Sequence, residues 1–469
     1  MHTSTTSTVP LTPWTAEQLQ QATQGEWHQH KIPQGEMKRI LTDSRHAEEG
    51  DAFLALKGER FDAHDFVKQV ATQGCQIAIV ERPVDADIAQ LIVKDTRVAL
   101  GQLGAYRRQH NPQLKVIALT GSSGKTTTKE MLGSILSRIA PTLVTRGNLN
   151  NDLGVPVMLL ELRPEHQYAV MELGASHQGE IDYTSSLVQP LVAGIINIGT
   201  AHLGEFGGRD GICRAKSEIY THIAPNGTSI VPAADDFADS IRQAVQTEQV
   251  LSFGAGGEIF ATEIELQAQS ATFKLNTPQG VRQVNLPFAG EHNVQNATAA
   301  AAFALAIGIS LDDIVLGLEQ AVGAKGRLNF IQQGHHLLID DTYNANPTSM
   351  RAAAEVLAQQ EGVRVMVMGD IGELGSSAAQ QHYMLGRDLV SVKGLNFVVA
   401  VGEFAPAAQE GARSTQYGKK MQAFLTQEQA LPFLLSLIET HQPQSMSFLF
   451  KGSRYTHMET LMADLMEKL

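Results

Sequence analysis

The stretch Leu119-Thr-Gly-Ser-Ser-Gly-Lys-Thr126 decides how the centre of this chain folds. It follows the apolar run Lys115-Val-Ile-Ala-Leu119 and precedes the helix-like segment Thr127-Thr-Lys-Glu-Met-Leu-Gly-Ser-Ile-Leu136. A strand, a glycine-rich turn that ends in Gly-Lys-Thr and a helix form the arrangement that binds a nucleotide triphosphate. Backbone N–H groups face the phosphates, Lys125 neutralises the β and γ oxygens, and the Thr126 hydroxyl can bind Mg²⁺. The sequence therefore predicts an ATP site.

The loop departs from the strict Gly-x4-Gly-Lys-Thr pattern, which would need glycine where Leu119 stands. Its first glycine is Gly121, so the loop is shorter. An ordinary Gly/Ser turn before a helix is the alternative, but the strand–loop–helix context favours phosphate binding. The residues expected to contact the nucleotide here are Thr120, Gly121, Ser122, Ser123, Gly124, Lys125, Thr126 and Thr127.

Length and composition indicate a soluble cytoplasmic enzyme. A chain of 469 residues, 43% of them hydrophobic, suits about three domains. It has no apolar run of about 18 residues, and its N-terminus lacks the features of a signal peptide. The cysteines Cys75 and Cys213 fit a reducing compartment better than a disulfide framework. The formal net charge of -13 argues against general nucleic-acid affinity, although it does not exclude an anionic small substrate.

Strand and helix patterns divide the chain into three α/β domains, at 1–112, 113–324 and 325–469. Short apolar runs such as Gln76–Val80 and Gln90–Val93 predict a small first domain. From Leu114 onward strands and helices alternate, which favours a mostly parallel, doubly wound sheet. Its expected elements are a strand at Lys115–Leu119, a helix to Arg138, strands at Thr142–Thr145 and Tyr168–Glu172, a helix from about His177 and a strand at Val192–Asn197.

Between about Ile259 and Phe288 the pattern changes to alternating polar and apolar residues, which predicts a small antiparallel insertion. The runs that carry it are Ala261–Gln267, Ala271–Leu275 and Gln283–Pro287. An alanine-rich helix, Asn293–Ile307, follows. The third domain is expected to be Rossmann-like, with strands at Leu337–Asp340, Val363–Met368, Phe397–Val401 and Ser447–Phe450.

Polar residues follow the strands of the central domain, where open α/β sheets bind their ligands. Glu172 ends one predicted strand, and His202 follows another within Gly199-Thr-Ala-His-Leu-Gly-Glu205. Mg²⁺ prefers oxygen ligands and substrate phosphates, so Thr126 and Glu172 suit it directly. His202 is a less typical ligand, and a solvated loop histidine is the alternative.

Several motifs resemble the ATP-dependent Mur ligases in sequence and in order. They are Thr120–Glu130, Gly147-Asn-Leu-Asn-Asn-Asp152, Met171-Glu-Leu-Gly-Ala-Ser-His-Gln-Gly-Glu180 and Asn197-Ile-Gly-Thr-Ala-His-Leu-Gly204. Asp340-Asp-Thr-Tyr-Asn-Ala-Asn-Pro347 and Lys451-Gly-Ser-Arg454 are similar to the type that adds D-alanyl-D-alanine. The resemblance extends from Asp43-Ser-Arg45 to Arg454 and implies domains that bind the UDP substrate, ATP and D-Ala-D-Ala in that order.

The resemblance implies amide formation through an acyl phosphate. ATP phosphorylates the terminal carboxylate of UDP-MurNAc-tripeptide, and the amine of D-Ala-D-Ala then attacks. It also implies that Lys216 is carbamylated and helps Thr126, Glu172 and His202 to hold two Mg²⁺ ions, whereas a solvated helix lysine is the alternative. The family pattern makes Lys125, Glu172, His202, Lys216 and Arg327 catalytic.

The same resemblance assigns further ligand contacts. It places Asn293, Asn296 and Asp341 near the nucleotide, and Arg327 at the γ-phosphate. Helix capping by the asparagines and turn capping by the Asp340–Asp341 pair are the alternatives. Ser44, Arg45 and Lys57 are expected to bind the UDP diphosphate. The muramoyl-peptide channel is assigned to Asn148, Asn150, Asn151 and Ser176, and the D-Ala-D-Ala pocket to Asn344, Asn346, Lys451, Ser453 and Arg454.

Two other functions stay open at this point. One is another amide ligase of the superfamily, such as a diaminopimelate-adding or folylpolyglutamate enzyme, although the Asp-Asn-Pro-Arg motif of the diaminopimelate type is absent from this sequence. The other is a regulatory P-loop ATPase without ligase activity. The expected partners are small molecules, the expected form is a monomer that closes on its substrates, and the third residue of the tripeptide is Lys or diaminopimelate.

Overall fold

The computed structural model describes residues 12–58, 61–200 and 203–469. The described chain divides into two compact units: one holds residues between 12 and 118, 140–174 and 182–190, and the other holds 119–139, 175–181 and 191–469. The predicted domain boundaries near residues 112 and 324 stay predictions. None of the helices in the described part of the chain is long and apolar enough to cross a membrane.

Residues 14–109 form a small α/β layer. The elements are β1 Trp14–Thr15, α1 Ala16–Thr23, β2 Glu26–Trp27, β3 Glu36–Met37, β4 Ile40–Leu41, β5 Ala52–Leu54, α2 Val67–Thr72, β6 Ile77–Val80, β7 Ala89–Ile92 and α3 Thr96–Gln109. Strands β4 to β7 run parallel, and β2 joins antiparallel in the order β2-β7-β6-β5-β4. Helix α1 begins at a capping box in which Thr15 and Gln18 satisfy each other's backbone N–H groups.

The segment from Lys115 to Phe253 alternates strands and helices as predicted. Its elements are β8 Lys115–Thr120, α4 Lys125–Ser137, β9 Thr142–Val144, α5 Gly154–Leu160, β10 Tyr168–Glu172, α6 Glu180–Val188, β11 Val192–Ile195, α7 Leu203–Phe206, α8 Arg209–Ser217, β12 Thr228–Pro232, α9 Ala238–Ala244 and β13 Gln249–Phe253. The sheet order is β13-β12-β11-β8-β10-β9. The pairs β9–β10, β11–β12 and β12–β13 are parallel. The inner strands β8, β10, β11 and β12 are mostly apolar and buried, as expected when helices cover both faces, whereas the edge strands β9 and β13 are only partly buried.

The predicted antiparallel insertion is present as β14 Phe260–Leu266, β15 Ala271–Thr277 and β16 Gly280–Leu286. Along β15, Ala271, Phe273 and Leu275 are buried while Lys274 is exposed, so one face of this sheet packs inward. The alanine-rich helix α10 Glu291–Ala306 and α11 Leu311–Glu319 follow. Small side chains on α10 permit its burial between neighbouring elements, including α4 and β14.

The C-terminal segment is a second doubly wound sheet, consistent with the predicted Rossmann-like domain. Its elements are β17 Asn329–Gln333, β18 His336–Asp340, α12 Pro347–Ala358, β19 Val363–Gly369, α13 Ala378–Ser391, β20 Phe397–Val401, α14 Ala405–Arg413, β21 Met421–Phe424, α15 Gln427–His441, β22 Met446–Lys451 and α16 Met458–Met466. The order is β17-β18-β22-β19-β20-β21, parallel except for β17. Separate apolar cores lie on the two faces of this sheet.

Candidate active site

The predicted phosphate loop connects β8 to α4. Gly124 is the N-cap residue of α4 and has φ +78°, a conformation that favours glycine. A Cβ atom at this position would also collide with the side-chain oxygen of Asn296. The Lys125 ammonium donates to the Gly121 carbonyl at 2.8 Å. The glycines in Gly-Ser-Ser-Gly-Lys-Thr therefore serve a tight turn that brings Lys125 back over the loop.

Asn197 holds this loop in place, a role that the sequence did not reveal. Its Oδ1 accepts from the N–H groups of Ser122 (3.1 Å) and Ser123 (3.0 Å), and its Nδ2 donates to the Ser123 carbonyl (2.9 Å). The Ser122 hydroxyl accepts from the N–H of Gly199 at 2.8 Å. Strand β11 was expected to continue to Asn197 but ends at Ile195, because the backbone carbonyl and the side chain of Asn197 hydrogen-bond to the phosphate loop and not to a neighbouring strand. The N–H groups of Ser122 and Ser123 are thus directed to Asn197, and the phosphate contacts of these two residues stay a prediction.

A cleft of about 560 Å³ opens beside the loop, a volume typical of small-molecule sites. Its polar lining includes predicted nucleotide residues, namely Ser123, Gly124, Thr127, Asn293, Asn296, Arg327 and Asp341. Lys451, predicted for the D-Ala-D-Ala pocket, lines the same cleft. Its apolar lining includes Ile196, Ile198, Pro232, Phe253, Phe288 and Ala353. The cleft therefore offers both charged groups and apolar surface against which a flat ring can pack.

Charged residues from the C-terminal sheet face this cleft. The Arg327 guanidinium lies 4.3 Å from the centroid of the Tyr343 ring. Its Nε is buried without a hydrogen-bond partner in the described structure. Asp341 Oδ2 lies 2.6 Å from the ammonium of Lys451, and Asp341 Oδ1 accepts from the N–H of Leu328 at 3.3 Å. An arginine with spare donor capacity is suited to an anionic group of a ligand.

Helix α10 contributes a neutral polar corner. Its N-cap residue is Gly290, so Asn293 and Asn296 lie inside the helix and neither caps it. Asn296 Nδ2 donates to Asn293 Oδ1 (3.0 Å), and Asn293 Nδ2 donates to the Ala289 carbonyl (2.8 Å). Burial lowers the pKa of His292 to about 4, so this ring is neutral at pH 7. Sequence reasoning named the asparagines but not His292, which stands beside them.

The predicted metal ligand Glu172 ends β10 and is 2% exposed. Its Oε1 accepts from Asn150 Nδ2 at 2.7 Å, and its backbone N–H donates to Thr145 Oγ1 at 2.9 Å. The described residues contain no group of three or more His, Cys, Asp or Glu placed to hold a metal ion. His202 lies outside the described residues. An oriented carboxylate still fits Mg²⁺, which is commonly bound by one or two protein carboxylates together with substrate phosphates.

Lys216 is 2% exposed and lies on α8. Thr126 is in the first turn of α4.

The residues predicted for the muramoyl-peptide channel lie after β9 and β10. Ser176 follows β10, and its N–H donates to Glu180 Oε2 at 2.7 Å. Asn151 Oδ1 accepts from the N–H of Gly154 at 2.8 Å, which fixes the start of α5, while Asn148 is exposed in the preceding turn. The structure thus gives Asn150 and Asn151 defined partners near Glu172 and leaves Asn148 open to solvent.

The predicted diphosphate residues of the first segment lie at its surface. Arg45 has an 82% exposed side chain and pairs with Asp43 at 2.6 Å. This pairing lowers the pKa of Asp43. Ser44 begins a short 3₁₀ turn, Ser44–His46, which contains Arg45. Lys57 lies close to residues 59–60, which are outside the described structure.

The residues predicted to bind D-Ala-D-Ala fall into two groups, one beside the cleft and one away from it. Asn346 caps α12, and its Nδ2 donates to the phosphate-loop hydroxyl of Ser123 at 3.0 Å. The Asn344 carbonyl accepts from Lys451 at 3.0 Å. Ser453 Oγ accepts from the N–H of Gly372 at 2.8 Å, and the exposed Arg454 pairs with Glu459 at 2.7 Å. Asn344, Asn346 and Lys451 therefore adjoin the cleft that also contains the predicted ATP residues.

Models of three Mur ligase domains match this chain. The Mur ligase family catalytic domain matches residues 36–118, the Mur ligase middle domain 119–304, and the Mur ligase glutamate ligase domain 326–454. The UDP-N-acetylmuramoyl-tripeptide–D-alanyl-D-alanine ligase of Escherichia coli (strain K12) is 43% identical over 432 residues, which cover 91% of this chain and 93% of that protein. The enzyme of that name from Bacillus subtilis (strain 168) is 34% identical and covers 91% and 93%.

Solved structures agree with this relationship. A crystal structure of MurF from Acinetobacter baumannii is 76% identical, has a TM-score of 0.95, and covers 98% of this chain and 100% of its own. MurF ligase from Thermotoga maritima, solved in complex with ADP, is 26% identical with a TM-score of 0.79 and covers 92% and 97%. These matches confirm the predicted three-domain α/β fold. The chain therefore belongs to the Mur ligase family, and within it to the MurF type.

Proposed function

We propose that this chain is the ATP-dependent ligase that joins D-alanyl-D-alanine to UDP-MurNAc-tripeptide and completes the cytoplasmic peptidoglycan precursor. The observation that carries the proposal is the cleft in which phosphate-loop residues and Arg327, Asp341 and Lys451 line one cavity. Such a cavity suits a reaction that brings a nucleotide triphosphate to another anion. Relatives at 43% and 40% identity carry the name of this ligase. Folylpolyglutamate synthase, at 17% identity, shares the fold alone.

The chemistry explains why ATP is needed. A carboxylate resists attack by an amine because oxide is a poor leaving group. Transfer of the γ-phosphoryl group to the tripeptide carboxylate gives an acyl phosphate and ADP. The amine of D-Ala-D-Ala then attacks the acyl carbon, phosphate leaves, and the amine loses a proton. The protein mainly positions two anions and neutralises their repulsion.

Arg327 in the cleft and Lys125 on the adjoining phosphate loop can supply that neutralisation. Lys125 carries an ammonium on a loop held by Asn197, and Arg327 is oriented by the Tyr343 ring, so both charges are placed before the substrate binds. Bound Mg²⁺ supplies further charge neutralisation at the phosphates. We propose Thr126, Glu172, His202 and a carbamate on Lys216 as its protein ligands. Asn150 holds the Glu172 carboxylate in one orientation for this role.

Carbamylation of Lys216 is part of the proposal. A carbamate forms when a neutral amine attacks CO₂, and it replaces an ammonium with a carboxylate-like group. Lys216 is buried, so a carbamate at this position would lie within the fold and not in open solvent, where it could serve as a metal ligand. The family resemblance of Ala215-Lys-Ser-Glu-Ile219 carries the rest of the argument.

The substrates are assigned along the chain. We propose that residues 1–112 bind the UDP end through Ser44, Arg45 and Lys57, and that 113–324 bind ATP. Residues 325–469 receive D-Ala-D-Ala through Asn344, Asn346, Ser453 and Arg454. Asn148, Asn150, Asn151 and Ser176 line the path of the muramoyl peptide. The enzyme works as a cytoplasmic monomer, and its two cysteines are buried and free.

Phosphate release measured with combinations of substrates tests the proposed function. We expect release only when ATP, UDP-MurNAc-tripeptide and D-Ala-D-Ala are all present, with one product of the corresponding mass. D-Ala alone, L-Ala-L-Ala, diaminopimelate and glutamate serve as comparison amines, and tripeptides ending in Lys or diaminopimelate serve as comparison acceptors. Release that is independent of the amine would favour a regulatory ATPase. Ligation of diaminopimelate or glutamate in place of the dipeptide would favour another ligase of the family.

A further inference from the structure

Lys451 is the last residue of β22, and its ammonium forms a buried ion pair with Asp341. Its side chain is 2% exposed, its Nζ lies 2.6 Å from Asp341 Oδ2, and it donates to the Asn344 carbonyl at 3.0 Å. Burial lowers the pKa of Lys451, while the Asp341 carboxylate opposes that effect. Two of the three ammonium donors are therefore assigned to protein oxygens inside the fold.

Asp341 is also fixed by several contacts, through both its backbone and its carboxylate. It follows β18, and its backbone N–H donates to the Phe450 carbonyl at 3.0 Å, next to Lys451. Its Oδ1 accepts from the N–H of Leu328 at 3.3 Å. The carboxylate lines the cleft that contains the phosphate-loop residues Ser123 and Gly124. Strands β18 and β22 are neighbours, so the pair is built into the sheet.

We infer that Lys451 is a positioning residue of the nucleotide site, where it orients and neutralises Asp341, and that it does not bind the dipeptide carboxylate. This inference rests on the proposed function. A dipeptide carboxylate would have to reach the one remaining donor of an ammonium whose side chain is 2% exposed, or displace Asp341 from an ion pair at 2.6 Å. Without Lys451, the Asp341 carboxylate would repel a triphosphate in the same cleft. With Lys451, the carboxylate can accept a hydrogen bond from a hydroxyl or amino group of the nucleotide.

A double-mutant cycle separates the two roles. The variants are Lys451→Met, Asp341→Asn and the double substitution, and the probe for binding is a non-hydrolysable ATP analogue titrated by calorimetry. We expect Lys451→Met to weaken binding of the analogue by about tenfold or more, since it leaves a buried carboxylate unpaired. In the Asp341→Asn background, the same substitution should change that affinity by less than about threefold. The KM for D-Ala-D-Ala should stay within about twofold of its value before the lysine is replaced.

Lys420→Met is the matched control, because Lys420 is a half-buried lysine of the same segment whose Nζ lies 5.0 Å from the Tyr417 ring centroid. It should leave both substrates unaffected. If Lys451→Met does not fold in thermal unfolding measurements, the comparison of Asp341→Asn with the double variant decides, because removal of both charges avoids a buried unpaired ion. The inference is supported if Asp341→Asn and the double variant bind the ATP analogue with equal affinity and have equal KM values for D-Ala-D-Ala.

Two results would overturn the inference. One is a Lys451→Met variant that binds the analogue as the wild type does. The other is a rise in the KM for D-Ala-D-Ala when the lysine is replaced in either background. The proposed function fails differently: the wild-type protein would then bind no ATP analogue, or would form no product with D-Ala-D-Ala.

Discussion

Replacing Asn197 with alanine tests whether the phosphate loop is held by the side chain of a residue that follows the neighbouring strand β11. Asn197 makes three side-chain hydrogen bonds to Ser122 and Ser123, at 3.1, 3.0 and 2.9 Å. The substitution removes all of them and leaves the loop with its backbone bonds and the Ser122–Gly199 contact. The glycines of the loop would then favour many conformations over the one that places Lys125.

The size of the effect follows from those bonds. A hydrogen bond contributes about 0.5–1.5 kcal/mol net, so three contribute about 1.5–4.5 kcal/mol to the loop conformation. Asn197 is half-buried, which favours the lower part of that range, about 1.5–2 kcal/mol. Each 1.4 kcal/mol is a factor of ten, so kcat/KM for ATP should fall by about 10- to 30-fold. The loss should fall on ATP and leave the KM of D-Ala-D-Ala nearly unchanged.

The assay is phosphate release with ATP varied and the other substrates held constant. Asn276→Ala is the matched control, because Asn276 is also half-buried and its side chain also has three hydrogen-bond partners, but in the antiparallel insertion. There the two N–H groups of Nδ2 are shared among acceptors at 3.3, 2.9 and 3.2 Å. It should lower the melting temperature to a similar extent without changing kcat/KM for ATP. A loss of less than about threefold in Asn197→Ala, or equal losses in both variants, would refute the argument.

Three further predictions concern the residues proposed for catalysis. Lys125→Ala should lower the ligation rate by about 10²–10³ without unfolding the protein, and a circular-dichroism melt with a rate assay checks both; a variant above about a tenth of the wild-type rate contradicts the assignment. Glu172→Gln keeps an oxygen for Asn150 but loses the charge, so the Mg²⁺ concentration for half-maximal activity should rise, and an unchanged titration would mean that Glu172 is not a ligand. Lys216→Arg should be as inactive as Lys216→Ala, and removing bicarbonate from the wild-type enzyme should lower activity that added bicarbonate restores. If arginine is tolerated and bicarbonate has no effect, Lys216 is not carbamylated.

Local pattern was sufficient to predict most of the fold. The alternation in Ala271–Leu275 predicted a half-buried antiparallel strand, and the mostly apolar run at Val363–Met368, interrupted by Arg364, predicted a buried parallel one. Strands β12, β13, β17 and β21 were not predicted. In β17 and β21 the cause is visible, since they form edges of their sheet and are only partly buried, which weakens the hydrophobic pattern.

The site was harder to predict because its contacts join distant residues. Asn197 and the phosphate loop are about 75 positions apart, and they meet since β8 and β11 are neighbours in the sheet. No spacing rule contains that information. Motif reasoning identified Lys125, Arg327 and Asp341 as a group only through family resemblance, and the cleft places Arg327 and Asp341 beside the loop of Lys125.

The adjacent aspartates Asp340 and Asp341 show why one sequence pattern supported two roles. Capping of a turn and contact with a nucleotide were alternatives for the pair. Asp340 Oδ1 accepts from the N–H of Thr342 at 3.1 Å and from its hydroxyl at 2.6 Å, which is the capping role. Asp341, one residue later, lies in the cleft against Lys451. Successive side chains at the end of a strand point to opposite sides, so the two roles fall on different residues and do not compete.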